Sequence, residues 1–525
     1  MINDSSNGML TGSVPAAHSE SHSLYAVFRG QWSLQSPFLK TAEGETWDYN
    51  DLDLLTARIS KQLQSAGLRH GDRLISQLER SAWNIFLYLG CLRAGIVYIP
   101  LNPKATPPEL EHIARDVEPH AIVCNPDLLG TIHETLKTLD TQPRMLTLDT
   151  SGAGTLTSQN IDSGILPDHP VAPDDIAAIV FTSGTTGRPK GAVLPHSLLV
   201  EKARALSQTL HYRATDRLLH TMPLYHAHGL FMTTHCVLSS GASMLLLPRF
   251  DAGEVIRHLP EVTIFSGVST MYKRMLGRPD LRVCAQGMRL FIAGSAAVPP
   301  DIFEQFAQQS GHQIVECWGM SETMTNTANP VNGPRKPGSA GKPLPGVELK
   351  VFDAQGRPAA AHTPGILSVR STTRFPGYWR RGPAEQPTYH DGFYLTGDIG
   401  YQDSEGYLFI VGRVGDVIVS GGYNVYPREV ELALEHVEGV ARAAVFGLPH
   451  PDLGEAVAAA VETTDPYPDP AEIIKQARKS IVGYKAPKAL FIVDQLPLTE
   501  LGKVRRRTLI ERFRNHFLHE QQAPA

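Results

Sequence analysis

One segment of the chain, residues 181–191, joins an apolar strand to a loop that few folds can present. The predicted strand Ile176–Phe181 runs into the sequence Thr-Ser-Gly-Thr-Thr-Gly-Arg-Pro-Lys-Gly. Glycines let the backbone approach an anion closely, and backbone N–H groups and hydroxyls can donate to phosphate oxygens. The spacing is not that of the Walker loop GxxxxGK[ST]. We therefore predict a phosphate-binding loop rather than a plain Ser/Thr-rich turn. Its residues are Thr182, Ser183, Gly184, Thr185, Thr186, Gly187 and Lys190.

Strand and helix patterns alternate on both sides of this loop. Helices are predicted at Leu54–Ala66 and Ser81–Ala94, and strands at Arg73–Gln77 and Ala121–Cys124. This rhythm is typical of an α/β architecture with largely parallel sheets. With 525 residues, the chain is also too long for a single hydrophobic core. The predicted fold class is therefore α/β, with a large N-terminal α/β domain.

The pattern changes toward the C-terminus. Strand signals separated by tight turns at Glu348–Phe352, Gly365–Arg370 and Tyr407–Val411 predict a β-rich subdomain. Helices at Pro427–His436 and Pro470–Ser480, with strands between and after them, predict a small α+β unit. That unit is large enough to be a domain of its own.

Composition excludes several classes of protein. The formal net charge of −5 does not suggest a nucleic-acid binder. The five cysteines lie far apart without a CxxC pair, which argues against a disulfide framework or zinc cluster and fits a reducing compartment. We expect no integral membrane association, because no apolar run is long enough for a membrane helix. The first 24 residues lack the features of a secretion signal, so the cytoplasm is the expected location.

A second motif, Glu-Cys-Trp-Gly-Met-Ser-Glu-Thr at 316–323, gives the phosphate loop a context. Together the two motifs resemble the signature elements of the acyl-adenylate-forming enzymes, which include acyl-CoA synthetases, adenylation domains of peptide synthetases and luciferases. The resemblance continues in order from about residue 40 to residue 510. It implies that Trp318 stacks on adenine, Ser321 binds phosphate and Glu322 holds Mg²⁺. An indole offers a broad stacking face, and a carboxylate suits a magnesium ion bridged to nucleotide phosphates.

Further motifs extend the nucleotide site that the resemblance implies. The Gly-Ser-Ala sequence at 294–296 follows the predicted strand Leu290–Ala293 and would face adenine and the acyl group. Asp398 ends a Thr-Gly-Asp motif whose carboxylate would accept both ribose hydroxyls. Arg413 would also contact ribose. The remaining residues assigned to the nucleotide by this resemblance are Gly294, Ser295, Ala296, Glu316 and Gly319.

The C-terminal motifs resemble those of a mobile domain. Gly415 and Asp416 resemble the hinge, although the family often has Lys or Asp where Gly415 stands, and Gly tolerates the large φ/ψ changes of a hinge. Gly421, Gly422 and Tyr423 resemble the turn that lines the pantetheine tunnel of CoA-using members. Lys503 resembles the lysine that stabilises negative charge during adenylation. The predicted divisions are a flexible extension at 1–24, a large domain at 25–414 and a C-terminal lid domain at 415–525.

The resemblance implies two half-reactions that use ATP, Mg²⁺ and coenzyme A. The carboxylate of an acid first attacks the α-phosphate of ATP and releases pyrophosphate. The small domain then rotates, Lys503 withdraws, and the CoA thiol attacks the acyl-adenylate. The predicted catalytic residues are Lys503, Glu322 and His226, and the expected partners are the acid, ATP and CoA, with no nucleic acid.

Within the family, the chain resembles the malonyl-CoA synthetases at several segments, including Pro-Leu-Tyr-His-Ala-His-Gly-Leu at 223–230. Those enzymes carry Arg, paired with the second carboxylate of malonate, where this chain has Cys317. A buried carboxylate without a cationic partner is costly, so either another group replaces the Arg or the acid has no distal carboxylate. His226 would gate the acyl pocket or contact a carboxylate; metal binding by His226 and His228 is disfavoured without a third ligand. The residues assigned to the acyl pocket are His226, Ser269, Ser295, Cys317 and Met320.

Three alternatives stay open. The acid is either malonate or a relative, or a monocarboxylic short-chain or aryl acid. The acceptor is either free CoA, favoured because no carrier domain is fused to the chain, or a carrier-protein thiol or an amine. A nucleotide-binding regulator without catalysis is the third, and the presence of both Glu322 and Lys503 argues against it.

Overall fold

The computed structural model describes residues 23–158, 168–183, 189–464, 468–499 and 502–517. Its helices are α1 (Leu24–Arg29), α2 (Tyr49–Ser65), α3 (Ala82–Ala94), α4 (Pro107–Val117), α5 (Leu129–Leu136), α6 (His196–Thr209), α7 (His235–Ser240), α8 (Ala252–His258), α9 (Ser269–Met275), α10 (Leu281–Cys284), α11 (Pro300–Ser310), α12 (Pro427–Glu435), α13 (Pro470–Ala477) and α14 (Arg506–Phe513). The strands of the two larger sheets are β1 (Pro37–Thr41), β2 (Thr46–Asp48), β3 (Arg73–Gln77), β4 (Val97–Pro100), β5 (Ala121–Cys124), β6 (Arg144–Thr147), β7 (Ile176–Ser183), β8 (Pro189–Pro195), β9 (Arg217–His220), β10 (Ser243–Leu246), β11 (Ile264–Gly267), β12 (Leu290–Ala293), β13 (Ile314–Met320), β14 (Met324–Ala328) and β15 (Lys342–Pro343). The later strands are β16 (Val347–Phe352), β17 (Gly365–Ser371), β18 (Tyr389–His390), β19 (Phe393–Gln402), β20 (Leu408–Arg413), β21 (Ile418–Ser420), β22 (Tyr423–Val425), β23 (Val440–His450), β24 (Gly454–Thr463) and β25 (Ala489–Ile492).

Two large sheets form the body of the molecule, and the α/β fold class is confirmed. The first has the order β6-β5-β3-β4-β7-β8, and the second runs β15-β14-β13-β12-β11-β9-β10-β1-β2. Neighbouring strands from β6 to β7 and from β13 to β1 pair in parallel, as the alternation of strands and helices predicts. Strands β7 and β8 pair antiparallel and flank the segment predicted to bind phosphate.

Helix α3 shows why these segments fold as they do. The Ser81 side chain caps its first turn by accepting a hydrogen bond from the backbone N–H of Asn84, and Gly95 ends it with φ 67°. The helix is buried on nearly every side. A helix that is apolar all round belongs in the interior of a large domain.

The two smaller sheets are mainly antiparallel, unlike the body. One contains β16, β17, β19 and β18, with β20 paired to β19, and forms the β-rich subdomain. The other contains β22, β21, β24 and β23, with β25 added in parallel to β24, and packs against α12 and α13. This last sheet is the centre of the C-terminal α+β unit.

The N-terminal end of the described chain is part of the core. Ser23 caps helix α1, and the side chain of Leu24 is fully buried. The predicted boundary of the flexible extension at residue 24 therefore falls inside the first helix, while residues 1–22 lie outside the described residues.

Candidate active site

The carboxyl ends of the parallel strands bring most of the candidate residues together. Strands β9, β11, β12 and β13 are consecutive neighbours in their sheet, in the order β13-β12-β11-β9. Ligands of open α/β sheets bind at this edge, where the connecting loops supply the side chains. The residues of 221–230, 294–296 and 316–322 all follow or end these strands.

The described part of the phosphate loop is its hairpin stem. Thr182 pairs with Lys190 across β7 and β8. The amine of Lys190 lies 3.3 Å from Oε1 of Glu385 and 5.6 Å from the ring centre of Tyr378. The predicted Gly184, Thr185, Thr186 and Gly187 lie outside the described residues, as does the side chain of Ser183.

Glu322 is buried, and its partner was not predicted from the sequence. Tyr378 donates its hydroxyl to Oε1 of Glu322 at 2.8 Å. Burial raises the pKa of the Tyr378 hydroxyl, and the charge of Glu322 raises it further, so it remains a donor. Tyr378 is held beside the phosphate loop because the neighbouring Gly377 carbonyl accepts from the backbone N–H of Val193 in β8. Nothing in the Phe-Pro-Gly-Tyr-Trp sequence at 375–379 points to a contact with Glu322.

Glu322 fits the role of a magnesium ligand. Its second oxygen, Oε2, has no hydrogen-bond partner among those found in the described residues. The described residues also contain no group of three or more His, Cys, Asp and Glu side chains that could hold a metal ion. A single carboxylate is what Mg²⁺ uses when nucleotide phosphates and water complete its coordination.

Trp318, Asp398 and Arg413 form one hydrogen-bonded group. Nε1 of Trp318 donates to Oδ2 of Asp398 at 2.9 Å, and Nε of Arg413 donates to Oδ1 at 2.6 Å. The charge of Asp398 raises the pKa of Arg413. Each carboxylate oxygen retains a further lone pair, so the predicted ribose contact is compatible with these bonds. Gly319 lies next in β13, where a Cβ would stand 2.2 Å from the Met324 carbonyl oxygen, and Ser321 is half-buried in the turn that follows.

Glu316 carries a buried carboxyl group. One oxygen accepts from the backbone N–H of Val298 at 2.6 Å. Burial raises the pKa of Glu316 to about 8, although the Val298 bond and then the charge of Arg428 oppose that rise. Arg428 belongs to helix α12, so this carboxyl responds to the C-terminal unit.

Two histidines at 226 and 228 lie in different surroundings. His226 is half-buried, and burial followed by the charge of Lys503 lowers its pKa to about 4. His228 is buried, with Nε2 2.9 Å from Oγ of Ser266 and Nδ1 3.1 Å from Oγ of Ser295. Burial lowers the pKa of His228 to about 3, so both imidazoles are neutral at pH 7. Ser266 is missing from the predicted site, and His228 was considered from the His-Ala-His pattern only as a disfavoured metal ligand.

The other residues assigned to the acyl pocket lie on different elements and differ in how deeply they are buried. Ser269 begins helix α9, and Met320 is half-buried at the end of β13. Gly294 is buried against the ring of His228, and Ala296 is half-buried. Cys317 is only 6% exposed and belongs to the apolar cluster that also contains Cys236, and burial raises the pKa of its thiol.

Lys503 approaches both halves of the site. Part of its side chain is accessible to solvent, yet the surrounding protein atoms lower the pKa of its ammonium group. The charge of Arg413 lowers that pKa further, whereas Asp398 and Glu322 oppose it. Its charge acts on His226 as well, so Lys503 influences residues predicted for the nucleotide and a residue predicted for the acyl pocket.

Contacts from the C-terminal unit hold Lys503 in this position. The Gly502 backbone packs so closely on Thr270 of helix α9 that an added Cβ would lie 2.8 Å from Cγ2 of Thr270. The Gly502 carbonyl accepts from Arg442 at 2.7 Å. The amine of Lys273, one turn further along α9, donates to the Ala441 carbonyl at 2.9 Å.

The predicted hinge and CoA-tunnel residues lie away from this contact. Gly415 and Asp416 are in a short 3₁₀ turn, Val414–Asp416, and Asp416 pairs with Arg506 at 3.1 Å. Gly421 and Gly422, with φ of 57° and 83°, form the turn between β21 and β22. Tyr423 is 58% exposed and stacks on Tyr484 with ring centres 4.6 Å apart.

Comparisons with known proteins agree with this architecture. The model of the AMP-binding enzyme family matches residues 29–379, and that of the AMP-binding enzyme C-terminal domain matches residues 429–503. A long-chain-fatty-acid–CoA ligase of Bacillus subtilis is 31% identical over 90% of this chain and 92% of its own length. A malonate–CoA ligase of Arabidopsis thaliana is 29% identical over 95% of this chain and 90% of its own.

A solved structure covers nearly all of the chain. ATP-bound MatB from Rhodopseudomonas palustris is 35% identical, covers 95% of this chain and all of its own, and superposes with a TM-score of 0.91. The apo form of the same protein gives 0.80 at the same identity and coverage. The described residues include no helix long and apolar enough to cross a membrane.

Proposed function

This chain belongs to the AMP-binding enzyme family and is an ATP-dependent acid–CoA ligase, and we propose that it activates a short acid, malonate or a close relative, through an acyl-adenylate. ATP, Mg²⁺ and CoA are the cofactor and co-substrates of this family reaction. The observation that carries the proposal is the placement of Lys503 by the close packing of Gly502 on Thr270, from where its charge acts on the nucleotide and acyl residues, including His226.

In the proposed first half-reaction, a carboxylate oxygen of the acid attacks the α-phosphorus of ATP. The bond to the β-phosphate breaks, and pyrophosphate leaves with the electron pair. Lys503 and Lys190 supply positive charge near the phosphates, and fixed charges of this kind stabilise charge that develops in the transition state. Magnesium, when bound at Glu322, would neutralise phosphate charge. Trp318, Asp398 and Arg413 would hold the nucleoside.

In the proposed second half-reaction, the sulfur of CoA attacks the carbonyl carbon of the acyl-adenylate. The carbon–oxygen bond to phosphate breaks, AMP leaves, and the thiol proton passes to solvent. For this step, the C-terminal unit would turn at Gly415 and Asp416, withdraw Lys503 and bring Gly421, Gly422 and Tyr423 to the site. The higher TM-score against the ATP-bound relative than against its apo form supports the view that the described arrangement is the adenylating one.

The proposed acid is inferred from the small size and the charge of the acids named for two relatives. Relatives of this chain include a malonate–CoA ligase and a sulfoacetate–CoA ligase, whose named acids are short and doubly anionic. Cys317, which stands where malonyl-CoA synthetases carry Arg, lies in an apolar cluster and offers no positive charge. Acid recognition must therefore use groups other than this position.

We also propose a cytoplasmic location and free CoA as the acceptor. All five cysteines are free, which suits a reducing compartment. The test is an assay with ATP, Mg²⁺ and CoA against malonate, methylmalonate, propionate and an aryl acid, with acyl-CoA and AMP measured by mass spectrometry. Malonate or methylmalonate should give the highest kcat/KM. Propionate or the aryl acid as best substrate would overturn the proposed acid, and transfer to a carrier protein in preference to CoA would overturn the acceptor.

A further inference from the structure

Three side chains form a hydrogen-bonded row at the carboxyl ends of two neighbouring strands. Ser266 is in β11, Ser295 follows β12, and the ring of His228 joins them, with bonds of 2.9 Å to Ser266 and 3.1 Å to Ser295. Ser266 is 1% exposed and His228 5%, whereas Ser295 is only half-buried. The row therefore leads from the core to the cleft.

The direction of the protons along this row follows from the donors available. A neutral imidazole has one N–H donor and one acceptor nitrogen. In the part of the chain that the structure describes, Ser266 Oγ has His228 as its side-chain hydrogen-bond partner and no other acceptor for its proton. Because a buried hydroxyl proton without an acceptor is costly, Ser266 donates to Nε2 and the ring carries its proton on Nδ1. Nδ1–H then donates to Oγ of Ser295.

Among the described residues, this arrangement leaves the hydroxyl proton of Ser295 without an acceptor. Ser295 has φ 67°, a left-handed conformation that is uncommon for a residue other than glycine. Backbone strain of this kind is often found where a side chain must be aimed at a ligand. On the cleft side, His226 lies two residues before His228, and the charge of Lys503 contributes to lowering the pKa of its imidazole.

We propose that Ser266 and His228 are positioning residues that fix the hydroxyl of Ser295 as a hydrogen-bond donor to an oxygen on the third carbon of a short acid, the distal carboxylate of malonate or the ketone of a 3-oxo acid. The inference rests on the proposed ligase function and specifies how the acid is recognised in the absence of an arginine at Cys317. The two acids share the oxygen acceptor, and the experiment separates them by charge.

The test compares malonate, acetoacetate and butyrate as substrates of the full-length enzyme, since butyrate lacks the acceptor. Ser295→Ala should lower kcat/KM about tenfold more for the acids with the acceptor than for butyrate, which is the difference expected for one hydrogen bond to a polar or charged group. His228→Phe should act in the same direction, with a smaller loss, because the serine hydroxyl then rotates freely. His228→Asn, which keeps one donor and one acceptor, should recover part of the selectivity. A loss of kcat/KM with malonate alone would show that the hydroxyl recognises a carboxylate. A loss with both malonate and acetoacetate would show that it recognises any carbonyl oxygen.

Ser240→Ala is the matched control, because it removes a half-buried serine hydroxyl that donates to the Cys236 carbonyl outside this row. It should leave kcat/KM for all three acids and KM for ATP unchanged. An equal loss with all three acids, or no loss, would overturn the inference while leaving the ligase function intact. If the unmodified enzyme forms no acyl-CoA from any short acid, the proposed function fails, and this inference fails with it.

Discussion

Tyr378 and Glu322 are 56 residues apart in the sequence, and the tyrosine hydroxyl bonds the buried carboxylate at 2.8 Å. The bond links the segment between strands β17 and β18 of the β-rich subdomain to the turn that carries the candidate magnesium ligand. Because the Gly377 backbone is itself tied to strand β8, the position of Glu322 is coupled to the stem of the phosphate loop.

Tyr378→Phe should therefore weaken the use of magnesium more than it weakens the fold. Removing one bond to a carboxylate costs roughly 1–2 kcal/mol, which predicts a fall of about five- to thirtyfold in kcat/KM for ATP. The Mg²⁺ concentration for half-maximal pyrophosphate release should rise. Tyr389→Phe removes a nearby hydroxyl that donates to the Phe375 carbonyl and should leave the magnesium dependence as it was. Identical magnesium titrations for Tyr378→Phe and the unmodified enzyme would contradict the coupling.

Lys503→Ala should separate the two half-reactions. Adenylate formation, followed as pyrophosphate release, should fall by at least about a hundredfold, as for the loss of one preorganised charge-stabilising group. Thioester formation from supplied acyl-adenylate and CoA should be nearly unchanged. Lys475→Ala, at an exposed lysine of the same C-terminal unit that pairs with Glu472, is the control and should affect neither step. Equal losses in both steps would remove Lys503 from the role assigned to it.

The contact between Lys273 and the Ala441 carbonyl should favour the adenylating arrangement. Lys273→Ala removes an exposed hydrogen bond, so the expected loss in adenylation is modest, about two- to fivefold. The rate of thioester formation from supplied adenylate should stay the same or rise. The neighbouring exposed Arg274→Ala serves as the control. A slower thioester step in Lys273→Ala, with adenylation intact, would show that the contact belongs to a different stage.

Glu316 should make the stability of the large domain depend on pH. Its pKa is raised to about 8 in the folded protein, so the folded state keeps a proton that the unfolded state loses near pH 4.5. Stability should fall as pH rises between these values and then level off. Glu316→Gln removes this dependence and should raise the stability at pH 9 relative to the unmodified protein by on the order of 5 kcal/mol. Thermal unfolding from pH 5 to 9 measures it, with Glu348→Gln at an exposed position as control. Parallel melting curves for Glu316→Gln and the unmodified protein across that range would show that the carboxyl is already ionised at no cost.

The sequence predicted helices and strands well where the apolar pattern lies within one short segment. The strand Ala121–Cys124 has the predicted bounds because four consecutive apolar residues are buried on both faces, and helix α3 begins one residue after the predicted Ser81, which is its cap. The family and the reaction followed from ordered motifs. Contacts between distant segments did not follow, because neither Tyr378 nor the pairing of Ser266 with Ser295 through His228 leaves a periodic signal in the chain. The left-handed φ of Ser295 was equally hidden, since such a conformation usually calls for glycine.

The most direct test of the account is the product balance of the purified full-length protein with ATP, Mg²⁺, CoA and malonate or another short acid. One AMP and one pyrophosphate should appear for every acyl-CoA formed, and Lys503→Ala should abolish all three products while still converting supplied acyl-adenylate to the thioester. Release of ADP and phosphate in place of AMP and pyrophosphate, or no acyl-CoA from any acid, would contradict it.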